Sequence, residues 1–285
     1  MPIYEQAYRK YEAREALRTV RFWPITREAL RLILAKRSFL ALLVIGWVPF
    51  LGFAIYVWAL TQFGQVAEGM ASALPRGGAV FAQFFKWQMR LNLLLTTFGG
   101  AGLVANDLRT GAILVYLSRP LTRRDYVVGK LLVPLFLNLA VTLAPGLLLY
   151  GTGLSLAPDF YGKWELAWIA PAIVLHACAI SLVVSLLTLA ISALSKSARV
   201  AGLGLFGLIV GLEMVRLVLQ EGFRQKPAML LSIQTNLRAL GTALFGITDR
   251  QVVMAWGWSA LVLVLLSLAC LLILRSRVRA VEIVT

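Results

Sequence analysis

The side chains able to do chemistry inside the apolar stretches of this chain are few, and their spacing excludes most catalytic plans. His176 is the single histidine, so a His-Glu-x-x-His zinc site is excluded. A serine, histidine and aspartate triad would depend on a histidine inside an apolar run. His176 reads instead as a satisfied intramembrane histidine at a helix contact. Glu213 and Arg216 stand three residues apart on one helical face, a spacing that suits an ion pair in a low-dielectric setting. A structural pair near the outer interface is the favoured reading, and a part in ligand passage is the alternative. Asn92 and Asn138 read as helix-to-helix hydrogen-bonding groups rather than ligands. Glu213 is the one acid well inside an apolar run, whereas an intramembrane enzyme needs several catalytic groups facing one cavity. No Gly-x-x-x-x-Gly-Lys-Ser/Thr sequence occurs, since Gly129-Lys130 lacks both the earlier glycine and the following hydroxyl. The chain therefore carries no phosphate cradle for ATP, and no bound cofactor or metal is expected of it.

The elements that must position these residues are membrane helices. Of 285 residues 60% are hydrophobic and only 14% charged, with mean hydropathy +0.80. Soluble domains carry about 25% charged residues. A hydrocarbon core about 30 Å thick needs roughly 20 apolar helical residues. Five runs meet that directly: Phe39 to Leu60, Leu131 to Leu154, Leu166 to Leu194, Val200 to Leu219 and Val252 to Leu274. A sixth, Phe84 to Ala105, carries Lys86 and Arg90 near one end, where long cations can snorkel to the headgroups. The expected fold is thus an all-α membrane protein of six transmembrane helices. The net charge of +15 lies in short basic clusters between long uncharged runs, which argues for a membrane surface and against nucleic acid. Most of the 28 Lys and Arg fall in the N-terminal segment, around Arg109 to Lys130, at Lys196 and Arg199, and at Arg275 to Arg279. Basic segments favour the cytosol, so both termini are expected there. Cys178 and Cys270 lie in apolar runs, with no disulfide expected. No cleavable signal sequence is apparent in the first 38 residues, and the first span is expected to direct insertion.

Residues 1–38 read as cytosolic and interfacial helices and residues 39–285 as one six-span membrane domain. Tyr4 to Arg18 suits a helix in the cytosol or interface. After Pro24, Ala29, Leu30, Leu32, Ile33 and Leu34 share an arc opposite Arg27, Glu28 and Arg31, the pattern of an amphipathic interfacial helix. The alternative is a solvated basic start that only fixes topology. Between the second and third spans, Asn106 or Asp107 can cap a short helix that Pro120 ends. Thr122 and Asp125 have capping-box spacing for the start of the third span. An ordinary interfacial turn is the competing reading. The span holding Gly207 and Gly211, a Gly-x-x-x-Gly step, is the candidate subunit contact. Thr61 to Gln83 reads as a loop on the other side, and Pro227 to Gly241 is too short to span. The latter suggests one or two interfacial or re-entrant helices before the last span.

The stretch Asp107, Thr110-Gly111, Leu114, Leu117-Ser118, Arg119-Pro120, Arg123 and Gly129-Lys130 resembles the first intracellular loop of type-2 ABC exporter permeases. The six-span plan, the amphipathic start and the re-entrant-like segment extend the likeness along the chain. The order Thr110-Gly111 departs from the usual Gly-Thr, and Asn106-Asp107 is less acidic than the usual start. The resemblance implies an inner-membrane permease subunit for export, working as a homodimer or pseudodimer. Two copies of a cytosolic ABC ATPase, a separate polypeptide, would bind the ATP and Mg. It further implies that the helix from Asp107 to Ser118, with Arg109, is a coupling helix seated in that ATPase, and that the first and fifth spans line the subunit interface. Force transmission to an extracytoplasmic machine, or a membrane scaffold that transports nothing, are the alternatives.

Overall fold

The computed structural model describes residues 22–63, 75–112, 122–156, 163–248, 252 and 254–277, and every regular element among them is helical. In chain order these are α1 (Trp23–Leu34), α2 (Arg37–Ile45), α3 (Val48–Phe63), α4 (Gly78–Gly99), α5 (Gly102–Thr110), α6 (Arg123–Leu156), α7 (Lys163–Leu194) and α8 (Ala198–Leu217). A π turn (Val218–Gly222) and a 3₁₀ turn (Lys226–Leu231) lead to α9 (Ile233–Leu244) and α10 (Trp256–Arg277). The expected helix from Tyr4 to Arg18 lies outside the described residues, as do Leu114, Leu117, Arg119 and Pro120.

Among the described residues five segments are long and apolar enough to cross a membrane: Arg37–Leu60, Arg123–Leu156, Ala167–Leu194, Ala198–Gln220 and Trp256–Arg277. They correspond to the five uncharged runs of the sequence, with two shifts. α6 begins at Arg123 rather than Leu131. The last helix begins at Trp256 rather than Val252. The run expected from Phe84 to Ala105 differs more. Its helix, α4, starts six residues earlier at Gly78 and stops at Gly99, and a break at Gly100-Ala101 separates it from α5. Neighbouring helices approach closely at that break, since a Cβ on Gly100 would stand 2.7 Å from Thr188 Cγ2 and one on Gly99 2.4 Å from Phe39 Cε2.

α7 is the axis of the bundle. It packs against α4, α5, α6, α8, α9 and α10, and 72% of its most apolar window is buried. Aliphatic burial alone does not fix helix register in lipid, where tails are as apolar as leucine, so polar contacts and close approach do that work. Ser181, Ser185, Thr188 and Ser192 recur at helical spacing along α7 and are all fully buried. Asn138 Nδ2 donates to Ser185 Oγ at 3.3 Å, and Thr142 and Ser181 hydroxyls meet at 3.4 Å, joining α6 to α7. The expectation for Asn138 thus holds. Asn92 is equally buried, but neither of its amide atoms has a hydrogen-bond partner.

Breaks in membrane helices leave carbonyls without donors, and here a side chain from a neighbour fills the gap. Pro145 inside α6 cannot donate to the Val141 carbonyl four residues earlier. The break at Gly46-Trp47, between α2 and α3, exposes the Gly46 carbonyl. Gln88 Nε2 of α4 donates to both, at 2.5 Å to Val141 O and 2.9 Å to Gly46 O. The same three helices touch closely here, since a Cβ on Gly46 would stand 2.6 Å from Val141 Cγ1.

Replacing Gln88 with Leu removes both bonds and leaves two carbonyls orphaned, at a cost of about 1–3 kcal/mol for each buried group. The variant should show a lower thermal unfolding midpoint in detergent, whereas Thr152→Ala, on the same α6 but with only a local bond to Leu149 O, should change it little.

Candidate functional site

The residues that bracket the loop between α5 and α6 form one cluster. α5 carries Asp107 in its last two turns, and Gly111 ends the helix in the left-handed region at φ 70°, where glycine meets no Cβ penalty. On the other side of the loop, Thr122 N donates to Asp125 Oδ2 at 3.0 Å and Asp125 N to Thr122 Oγ1 at 3.2 Å. This is the expected capping box, and it starts α6.

Asp107 is not the cap of a following helix. Its carboxylate turns to α6, where Lys130 Nζ lies 2.6 Å from Oδ2 and the Tyr126 hydroxyl donates to the same oxygen at 2.8 Å. Lys130 also stands 5.8 Å from the Tyr126 ring centroid. Lys130 is 6% and Tyr126 1% exposed, so the pair is desolvated. Its two charges hold the end of α5 against the first turns of α6. Residue 129 brings α1 in as well. A Cβ there would stand 3.0 Å from Phe22 O, and the Gly129 carbonyl accepts the Thr26 hydroxyl at 2.8 Å. The Gly129-Lys130 step thus serves two contacts at once, with α1 and with Asp107.

The helix expected from Asp107 to Ser118 is therefore interrupted: Asp107, Arg109 and Thr110 belong to α5, and Gly111 closes it. Arg109 and Thr110 are exposed, and the Thr110 hydroxyl donates back to Asn106 O at 2.8 Å. At its other end α5 is capped by a different helix. Ser192 Oγ of α7 accepts from Val104 N at 3.1 Å and Ala105 N at 2.9 Å, and donates to Ala101 O at 2.6 Å. Sequence reasoning missed Ser192, Tyr126 and Thr26, because each acts on a segment far away in the chain.

α1 buries Ile25, Thr26, Ala29 and Ile33, with Arg27, Glu28 and Arg31 exposed. The apolar arc read from the sequence is only partly covered, with Leu32 61% exposed, because the face toward α6 is centred on Ala29.

The remaining polar residues fall toward the far end of the bundle. Arg216 donates to Glu213 Oε1 from Nη2 at 2.8 Å and from Nε at 3.1 Å, and to Gln220 Oε1 at 2.9 Å. The expected pair is thus formed, with Arg216 1% exposed. The hydroxyl of Ser232, the N-cap of α9, donates to Glu213 Oε2. His176 is buried with Nδ1 unpartnered, set edge-on to Phe85 at 4.8 Å and Phe245 at 5.8 Å between centroids. Gly241 makes room for it, since a Cβ there would stand 2.7 Å from its ring. Gly207 and Gly211 lie on an exposed side of α8, where an added Cβ would meet nothing within 4 Å.

Among the described residues five apolar spans, one of them the buried axis α7, define a multi-pass membrane protein. A family model described as ABC-2 family transporter protein matches residues 93–279, well over half of the chain, and the chain belongs to that family. It is accordingly a membrane subunit of an ABC transporter, and membership implies an ABC ATPase partner. No curated protein matches the chain.

Replacing Asp107 with Leu strands a buried lysine charge and should destabilise the protein by about 3–5 kcal/mol. Combining it with Lys130→Met should recover most of that loss. Thermal unfolding of the single and double variants in detergent checks the claim, and a double variant no better than the single would contradict it.

Proposed function

We propose that this chain is the permease half of an ATP-driven exporter, worked through the loop between α5 and α6 by a separate cytosolic ATPase. The observation that carries the reading is the clamp at the two ends of that loop. A push on residues 112–121 would reach α5 through Gly111 and α6 through Thr122. The Asp107, Lys130 and Tyr126 contacts keep those two helices from separating. Ser192 and Thr26 pass the displacement on to α7 and α1. Packed helices respond to such a push by discrete shifts rather than by bending. In this reading Leu114, Leu117, Arg119 and Pro120 present the docking face, and ATP and Mg belong to two ATPase subunits.

The same reading takes α4 as the sixth span. Its 22 residues reach about 33 Å at 1.5 Å per residue, with Lys86 and Arg90 on either side of its midpoint. It places both termini and the loop from α5 to α6 on the cytosolic side of an inner membrane. Lys36, Arg37, Arg109, Arg123, Arg124, Lys196 and Arg199 all flank helix ends on that side. α1, with Arg27, Glu28 and Arg31 outward, would lie in the interface as a lever. The segment from the 3₁₀ turn through α9 would dip into the membrane from the opposite side. The open face of α8 at Gly207 and Gly211 supports a second copy of the chain as the partner across a subunit contact.

The test is reconstitution of the chain with its ATPase, followed by ATP hydrolysis and subunit stoichiometry. Leu114→Asp with Leu117→Asp should abolish stimulation of hydrolysis, by at least tenfold, while membrane insertion persists. Gly207→Leu with Gly211→Leu should convert a two-copy permease into single copies by steric separation. Unchanged stimulation would remove the loop as the docking element, and an unchanged copy number would remove α8 as the contact.

A further inference from the structure

Four unpartnered polar atoms lie at one depth of the bundle, away from both ion pairs and from the loop between α5 and α6. Gln88 and Asn92 stand one turn apart on α4, and both are 0% exposed, as is Asn138 of α6. Gln88 donates through Nε2 to two carbonyls, which leaves its Oε1 without a donor. Asn138 donates through Nδ2 to Ser185 and keeps an unpartnered Oδ1, while Asn92 has neither Nδ2 nor Oδ1 engaged. Asn138 is fifteen residues from the start of α6 and eighteen from its end, about 22 and 27 Å along the helix. Within hydrocarbon an unsatisfied amide is costly.

The packing of α4 on α6 brings these amides to one level. The two helices run antiparallel. A Cβ on Gly100 would stand 3.7 Å from Pro134 Cβ, Gln88 meets the Val141 carbonyl, and a Cβ on Gly146 would stand 3.5 Å from Phe85 Cζ. Asn92, four residues from Gln88 toward Gly100, is therefore level with Asn138, three residues from Val141 toward Pro134. Its direction around α4 follows from the same contacts. At about 100° per residue, Asn92 falls between Gly99, which faces Phe39 of α2, and Gly100, which faces Pro134 of α6 and Thr188 of α7.

The unpartnered set holds one amide nitrogen and three carbonyl oxygens, so its occupant must both accept and donate hydrogen bonds. Water does both, and ordered water is one of the means by which polar groups at membrane depth are satisfied. A metal cation would leave Asn92 Nδ2 without an acceptor and would enter without a counter-charge. α4 carries no acid, and those of α6 and α7, Asp125 and Glu165, stand in the first turns. We propose that the middle of the bundle is a hydration site, with ordered water held in the seam between α4 and α6 by the amides of Gln88, Asn92 and Asn138. Water there accepts from Asn92 Nδ2 and donates to Gln88 Oε1 and Asn138 Oδ1. Through Ser185, which accepts from Asn138, the site also reaches α7. It is separate from the loop between α5 and α6, so its occupancy does not depend on ATP coupling.

The test is a density map of the full chain in lipid nanodiscs, at a resolution that shows ordered water, with N-methylglucamine as the only buffer cation. A peak within hydrogen-bond distance of Asn92 and of Gln88 Oε1 or Asn138 Oδ1 is the expected result. A seam without a peak would overturn the proposal, and a peak that forms only when sodium is supplied would overturn it in favour of a cation. Thermal unfolding in detergent gives a second reading, of opposite sign for a wet and a dry seam. Asn92→Leu replaces an amide by an apolar group of nearly the same shape, so in a dry seam the midpoint rises or stays where it is. With bridging water the same change strands Gln88 Oε1 and Asn138 Oδ1, and the midpoint should fall by roughly 3 °C or more. In an Asn138→Leu background, where the bridge is already broken, Asn92→Leu should have a smaller effect. A midpoint that Asn92→Leu leaves unchanged or raises would contradict the proposal, and the map of the unaltered chain decides it if the variant does not fold.

Discussion

In a bilayer a backbone carbonyl without a donor costs several kcal/mol, because no water reaches it. That constraint governs how these helices are joined. The chain breaks its helices at Gly46-Trp47, loses a backbone donor at Pro145, and breaks its helices again at Gly100-Ala101. At each place a buried side chain from another helix takes over the backbone's hydrogen bonding. Gln88 serves the first two and Ser192 the third. The donors that repair a helix are thereby also the contacts that fix its position. α2, α3, α4 and α6 meet at Gln88, and α5 is seated on α7 at Ser192.

The two ion pairs follow the same logic at the ends of the bundle. Asp107 with Lys130 ties α5 to α6 on one side, and Glu213 with Arg216 ties α8 to the cap of α9 on the other. α8 starts beside α5, where a Cβ on Gly102 would touch Ala198 Cβ at 3.0 Å. Glu213, fifteen residues along the helix from Ala198, is about 22 Å away. A rigid helix thus runs from the neighbourhood of α5 to the Glu213 and Arg216 pair. A shift of α5 against α8 has a direct mechanical route to the far side, through packed elements rather than through any flexible linker.

What could be read from the sequence was local or periodic. Hydropathy located five spans, four of them to within a few residues, and the Thr122 and Asp125 spacing gave the start of α6, which the apolar run had placed at Leu131, because a capping box is complete within four residues. The second span was displaced because Lys86 and Arg90 pushed the apolar window toward Ala105. The side chains that crowd Gly99 and Gly100, Phe39 and Thr188, lie on other helices. Asp107 looked like a cap because carboxylates suit helix starts, while its partner Lys130 stood 23 residues on, beyond the loop. The Glu213 and Arg216 pair was legible because both residues share one turn. His176 was placed in a helix contact, but the aromatic ring of neighbours around it, Phe85 and Phe245, comes from two other elements of the chain. Gln88 and Ser192 carried no pattern at all, since a side chain that caps a distant helix leaves no trace in its own segment.

The central claim is that a separate ATPase drives this chain. The most direct measurement is affinity purification of the tagged protein from its native membrane in mild detergent, followed by identification of what accompanies it and assay of ATP hydrolysis. The account predicts a stoichiometric companion with a Gly-x-x-x-x-Gly-Lys-Ser/Thr sequence and ATPase activity in the purified complex. A chain recovered without any ATPase, under conditions that preserve other membrane complexes, would contradict it.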